Sequence, residues 1–83
     1  MFDVKVVTPN EVAYEGKAEA LTAPGELGSF GVLSNHAPFI TTLAAGRLTL
    51  REASGQTKEF TIDGGFFEVS KNRAIVLTDS VKT

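Results

Sequence analysis

The chain has 83 residues, a formal net charge of −2, one histidine and no cysteine. That charge excludes a broad basic face for nucleic acid, and the missing cysteines exclude both a disulfide framework and a cysteine–histidine zinc site. A chain of this length buries roughly 63% of its extended-state surface, enough for one modest core. The expectation is therefore a single domain over residues 1–83.

Val, Ile and Thr supply 20 of the 83 residues, and these branched types suit pleated, half-buried surfaces. In chain order, Phe2, Val4 and Val6 alternate with Asp3, Lys5 and Val7, the period-two signature of a strand with one buried face. Thr8-Pro9-Asn10-Glu11 supplies turn chemistry. A second strand is predicted from near Val12 to Ala23, with a bulge or corner at Gly16, and Pro24-Gly25 is expected to break it. Val32 and Leu33 read as a short apolar piece inside a glycine-rich loop. Pro38 to Leu43 reads as a strand, and Ala44-Ala45-Gly46 as a turn. Leu48 and Leu50 then point one way and Arg47, Thr49 and Arg51 the other. Ala53-Ser54-Gly55-Gln56 reads as a hairpin loop. Phe60 and Ile62 alternate with Glu59, Thr61 and Asp63; Gly64-Gly65 is expected to interrupt before Phe66–Ser70 resumes. Lys71-Asn72-Arg73 turns tightly into a last strand, Ala74 to Thr78. No window carries a helical stripe, and no apolar run reaches membrane-spanning length. The opening residues do not read as a signal peptide. The predicted fold class is all-β, a sandwich of two antiparallel sheets face to face.

The segment Gly28-Ser29-Phe30-Gly31-Val32-Leu33-Ser34-Asn35-His36-Ala37-Pro38 reads as a shaped loop on this scaffold, the kind of place where a rigid domain carries its function. His36 has Ser34 nearby but no nucleophile-elbow pattern and no partner to set its protonation, so catalysis lacks its supporting groups. Gly25, Gly28 and Gly31 lack the following helix or the Lys-Ser/Thr pair of a phosphate cradle. Phe30 is either a plug into the core or an anchor into a partner, with the plug favoured. Phe66 and Phe67 are adjacent, so a strand sends one inward and leaves the other on an outer face that something must cover, unless a sheared edge buries both. Thr8, Thr41 and Thr42 are expected on the same outward patch. Arg47, Arg51, Lys58, Glu52 and Glu59 are expected to form a solvated hairpin face.

The glycine loop with its closing His-x-Pro resembles the epsilon subunit of F-type ATP synthases, called delta in mitochondria. So do Asp63-Gly64-Gly65-Phe66-Phe67-Glu68-Val69, Val76-Leu77-Thr78-Asp79, Ala45-Gly46-Arg47-Leu48 and the opening Val4-Lys5-Val6-Val7-Thr8-Pro9. The resemblance runs through nearly the whole chain in order. It implies a flattened β-sandwich at the foot of the rotary enzyme's central stalk. There it would be a non-catalytic rotor subunit with no cofactor and no metal, packed on the gamma subunit and touching the polar loops of the c-ring. By this resemblance Thr8, His36, Ala37, Pro38 and Thr41 lie toward gamma, and Gly28, Ser29, Phe30 and Gly31 toward the c-ring. The implied location is peripheral to the membrane through the complex, on the cytoplasmic side of a bacterial inner membrane or the matrix or stroma side in an organelle. The family's two-helix C-terminal domain would begin where Thr83 stands, so its inhibitory and ATP-binding roles are not assigned to these residues. Two other readings stand beside this one. A stand-alone carbohydrate- or peptide-binding module would need Tyr14, Phe30 and one of Phe66/Phe67 grouped on one face. A small enzyme would need a nucleophile, a metal set or a second histidine.

Overall fold

A computed structural model describes residues Met1–Lys82; Thr83, the last residue of the expected domain, lies outside the described residues. Seven strands follow one another: β1 (Phe2–Val7), β2 (Val12–Gly25), β3 (Gly28–Leu33), β4 (Phe39–Glu52), β5 (Thr57–Ser70), β6 (Arg73–Leu77) and β7 (Val81–Lys82). There is no helix among the described residues. Pairing closes on itself through β1, β6, β5, β4 and β2, with β3 added outside β2 and β7 outside β5.

Three strands of fourteen residues, β2, β4 and β5, are long enough to serve both layers of the sandwich. The first layer holds β1, β6, the Phe66–Ser70 half of β5, the Phe39–Leu43 half of β4 and the start of β2. The second holds β3, the end of β2, the Arg47–Glu52 half of β4, the Thr57–Asp63 half of β5, and β7. Alternating side chains from both layers meet between them, and Phe67, Leu21, Leu48, Leu50, Ile62 and Val6 are fully buried there. The expected sandwich is thus present. Its pairs are antiparallel except β1 with β6, which runs parallel in the register Asp3↔Arg73 to Val7↔Leu77.

Two expected interruptions are instead corners within continuous strands. Gly64 (φ 82) and Gly65 (φ 130) turn β5 from one layer to the other without ending it. A Cβ on Gly65 would overlap the Leu77 carbonyl oxygen, so only glycine fits that corner. Ala44-Ala45-Gly46 lies inside β4, opposite the same corner, where Leu43 pairs with Gly65 and Ala45 with Asp63. Pro24-Gly25, expected to break the second strand, closes β2 and leads into the hairpin to β3. The ladder to β4 jumps between Thr22 and Gly25, so the N–H that Pro24 lacks falls at an irregularity.

The glycine segment is also corrected. Gly28–Leu33 is not loop but an edge strand, paired with β2 from Ala20↔Leu33 to Gly25↔Gly28. Only Ser34–Pro38 remains irregular. An edge strand tolerates glycines because one of its sides makes no ladder.

Candidate interaction surface

The outward residues of the first layer fall into rows across its strands. One row runs Thr42–Phe66–Leu77–Val7–Val12 and its neighbour runs Ile40–Glu68–Ile75–Lys5–Glu15, each link a direct pair in the register. Ile40 is 72% exposed, Phe66 58%, Val12 49% and Leu77 48%. Together they form an apolar strip across the sheet. Two depressions flank the Phe66–Leu77 ridge: one of about 310 Å³ against Ile40, Glu68 and Ile75, the other of about 370 Å³ beneath Thr8, Pro9 and Asp79.

Charges border the strip on one side. Lys17 Nζ donates to Asp3 Oδ1 at 2.8 Å. That hydrogen bond and the lysine's charge hold the Asp3 carboxyl below its ordinary value, with Arg73 adding a smaller pull. The opposite layer presents a different exterior. Thr22, Arg47, Thr49, Arg51, Glu59 and Thr61 point outward there, and Arg51 Nε sits 3.4 Å from Glu19 Oε2. One broad face carries an apolar strip with charged residues beside it, while the other is polar apart from Leu33, which is 62% exposed next to Ala20, so the two sides of the sandwich are not equivalent.

Arg47, Arg51, Lys58 and Glu59 of the expected solvated hairpin face are all exposed, but only Arg47, Arg51 and Glu59 share the outward parity; Lys58 pairs with buried Leu50 and lies at the sandwich's end beside Tyr14 and Phe60. Glu52 departs from that exposure: half-buried, it accepts a 2.6 Å hydrogen bond from the Tyr14 hydroxyl. Burial first, and then Glu52, push that hydroxyl up to about 12.

The predicted gamma-side residues divide. Thr8 stands at the rim of the strip, where its backbone N–H donates to Glu11 O at 2.9 Å and its Oγ1 receives the Glu11 N–H at 3.2 Å. His36 is half-buried, its ring centroid 5.9 Å from that of Phe39. Its Nδ1 lies 2.7 Å from the Ala37 carbonyl oxygen; a carbonyl only accepts, so Nδ1 is the donor in that contact. Ala37 and Pro38 are exposed. Thr41 corrects the expectation of a shared outward patch. It pairs with Phe67 and shares the inward parity of that buried ring, whereas Thr42, paired with Phe66, faces out.

The predicted c-ring residues lie on β3. Gly28, Ser29 and Gly31 are exposed, and Phe30 turns in as the plug. Its ring centroid lies 5.0 Å from Phe67 and 5.3 Å from Phe39. Leu27, at the tip of the β2–β3 hairpin, is 100% exposed. The Glu26 N–H donates to the Thr42 carbonyl at 3.1 Å, which ties this tip to the edge of the apolar layer.

Sequence reading missed Ile40, Leu77, Val12 and Leu27. The signal for Leu77 lies in the unbroken run Ile75-Val76-Leu77: apolar residues on both parities mark a strand covered on both faces. The module reading fares poorly on geometry. Tyr14 packs on Phe60 at 5.6 Å, Phe30 faces the core, and Phe66 faces out from the other layer, so the three aromatics build no platform.

The family model for the ATP synthase delta/epsilon chain β-sandwich domain matches residues 1–83. Among curated relatives, the ATP synthase epsilon chain of Leptospira borgpetersenii is 40% identical over 77 residues, 93% of this chain and 60% of that protein. The epsilon chain of Chlorobium limicola is 39% identical over 80 residues, 96% of this chain and 91% of that protein. The chain therefore spans about three fifths of the Leptospira relative and nine tenths of the Chlorobium one. The fold also matches a chain of the Euglena gracilis mitochondrial ATP synthase, in a structure of its OSCP, F1 and c-ring. That match has a TM-score of 0.90 and 23% identity, and covers 95% of this chain and 51% of the other.

Proposed function

The chain belongs to the ATP synthase delta/epsilon-chain β-sandwich family, and from that premise we propose that it is a non-catalytic rotor subunit docking by its apolar face on the gamma subunit. The observation that carries this reading is the asymmetry of the two exteriors. The strip of Ile40, Phe66, Leu77 and Val12 leaves several neighbouring apolar side chains in water on one layer, where the exterior of the other exposes Leu33 alone among large apolar residues. Such a patch rimmed by polar groups marks a protein contact. Torque transmission requires docking over a wide, well-packed area rather than through a few charges. The molecule measures 26 × 24 × 19 Å, so a standard contact of about 800 Å² per partner needs a whole broad face rather than a single loop.

In this reading Thr8 and the His36–Pro38 segment border the gamma contact, with Thr42 taking the place expected for Thr41. The exposed edge of β3 at Gly28, Ser29 and Gly31, with Leu27 at its tip, meets the c-ring, and Phe30 holds that edge from within. Association with the membrane is then through the complex; among the described residues no helix is long and apolar enough to cross one.

The test is co-purification with the gamma subunit of the same enzyme. The account expects a one-to-one complex that survives mild washing and is lost when Phe66→Asp places a charge in the strip. A chain that passes gamma without retention, or a Phe66→Asp variant that binds as well as the original, contradicts it.

A further inference from the structure

Two asparagines in separate turns, 37 positions apart in the chain, meet in space. The Asn35 backbone N–H donates to Asn72 Oδ1 at 2.6 Å, and Asn72 Nδ2 donates back to Asn35 Oδ1 at 3.0 Å. Both residues take left-handed backbone, φ 64 at Asn35 and φ 60 at Asn72, a region asparagine enters more readily than other side-chain-bearing residues. The Asn72 end is firmly held: its carbonyl accepts the Asp3 N–H at 2.9 Å, and Ser70 pairs with Arg73 across the turn. The Asn35 end opens the Ser34–Pro38 segment, which lies outside the ladders. The reciprocal amide pair thus ties an irregular segment to a fixed turn between two strands of the apolar layer.

We infer that Asn72 is a positioning residue for partner recognition: its side-chain amide clamps Asn35 and so sets the course of His36, Ala37 and Pro38 beside the docking face. This rests on the proposed role of that segment in the gamma contact. A bare turn-former at position 72 needs only left-handed backbone, which glycine supplies at least as well. The side-chain amide matters only if holding Asn35 matters.

The experiment uses that difference. Asn72→Gly keeps the turn and removes the clamp. Asn72→Asp keeps an acceptor for the Asn35 N–H, and the Asn35 side chain can turn its NH₂ toward the carboxylate. Two measurements are made on the full chain: solvent exchange of the Asn35 amide by NMR in the free protein, and affinity for gamma by calorimetry. Asn72→Gly is expected to lose Asn35 amide protection and to bind gamma about ten-fold more weakly, the equivalent of one or two ordinary hydrogen bonds. Its melting temperature should stay within about 4 °C of the original. Asn72→Asp is expected to retain both protection and affinity. Unchanged Asn35 protection in Asn72→Gly overturns the clamp. Lost protection with unchanged affinity overturns its role in recognition, as does an affinity loss that Asn72→Asp shares. A starting chain that does not bind gamma at all sinks the docking reading, and with it the inference, while the exchange data still show whether the clamp exists.

Discussion

Single residues carry the tightest constraints in this fold. At Gly65 both the positive φ and the Leu77 carbonyl exclude a side chain. Gly65→Ala is therefore expected to cost about 3 kcal/mol or more, combining backbone strain with overlap. Gly28 shares a positive φ, but nothing lies near a Cβ built there, so Gly28→Ala should cost only about 1–2 kcal/mol. Urea denaturation of the two variants separates the causes, and equal losses would refute the role given to the Leu77 carbonyl. Tyr14 offers a pH test. In the unfolded chain its proton leaves near pH 10, whereas the folded chain holds it to about 12. Its stabilising contribution is whole below about pH 10 and fades as pH rises toward 12, because the unfolded state gives up the proton first. Tyr14→Phe should cost about 1 kcal/mol near neutral pH and flatten the loss of stability between pH 10 and 12. A variant with the same alkaline profile as the original would remove Tyr14 from the account. Neither the Tyr14–Glu52 bond nor the Asn35–Asn72 pair was legible in the sequence. Each joins residues more than thirty positions apart, and nothing in local pattern announces such a meeting.

At the scale of the strand, the decisive information is parity. The alternation of Phe2, Val4 and Val6, or of Leu48 and Leu50, was readable directly, and these residues are buried as expected. The division between Phe66 and Phe67 was readable too, since adjacent residues on a strand must part. What was not readable was where long strands bend. Gly64-Gly65 and Ala44-Ala45-Gly46 carry the same composition as turns that reverse the chain, yet here they only bend it. The difference lies in the partner strand that continues alongside. Thr41 was misplaced for a related reason: its parity is set by pairing with Phe67, not by its neighbours in sequence. The outward row yields a direct prediction. Phe66→Ser and Leu77→Ser remove side chains that are already half in water, so each should shift folding stability by less than about 1 kcal/mol. Each should nevertheless weaken gamma binding by ten-fold or more, because truncating a central apolar anchor costs about 2 kcal/mol or more in binding. Calorimetric titration beside thermal unfolding gives both numbers. Binding losses that merely track stability would mean that the row is core and not contact.

For the whole molecule, the essential property is that a two-layered sandwich has two exteriors of opposite character. One is covered with threonines and charged groups, and the other carries an apolar strip with a charged border. The closed circuit of strands makes the domain a stiff body, because β1 is held by β6 on one side and by β2 on the other. Stiffness is what a rotor element needs if a wide contact is to pass torque without yielding. The family was legible from the ordered motifs of the sequence. The identity of the docking face was not, because it depends on which halves of β4 and β5 share a layer. The central claim is that the layer bearing Ile40, Phe66 and Leu77 is the one hidden in the assembly. Hydroxyl-radical footprinting of the chain, free and bound to gamma, tests it most directly. The account predicts that oxidation at Ile40, Phe66 and Leu77 falls sharply on binding while Leu33, Arg47 and Arg51 on the exterior of the other layer stay as reactive as before. Protection confined to the polar layer, or none on either, would contradict it.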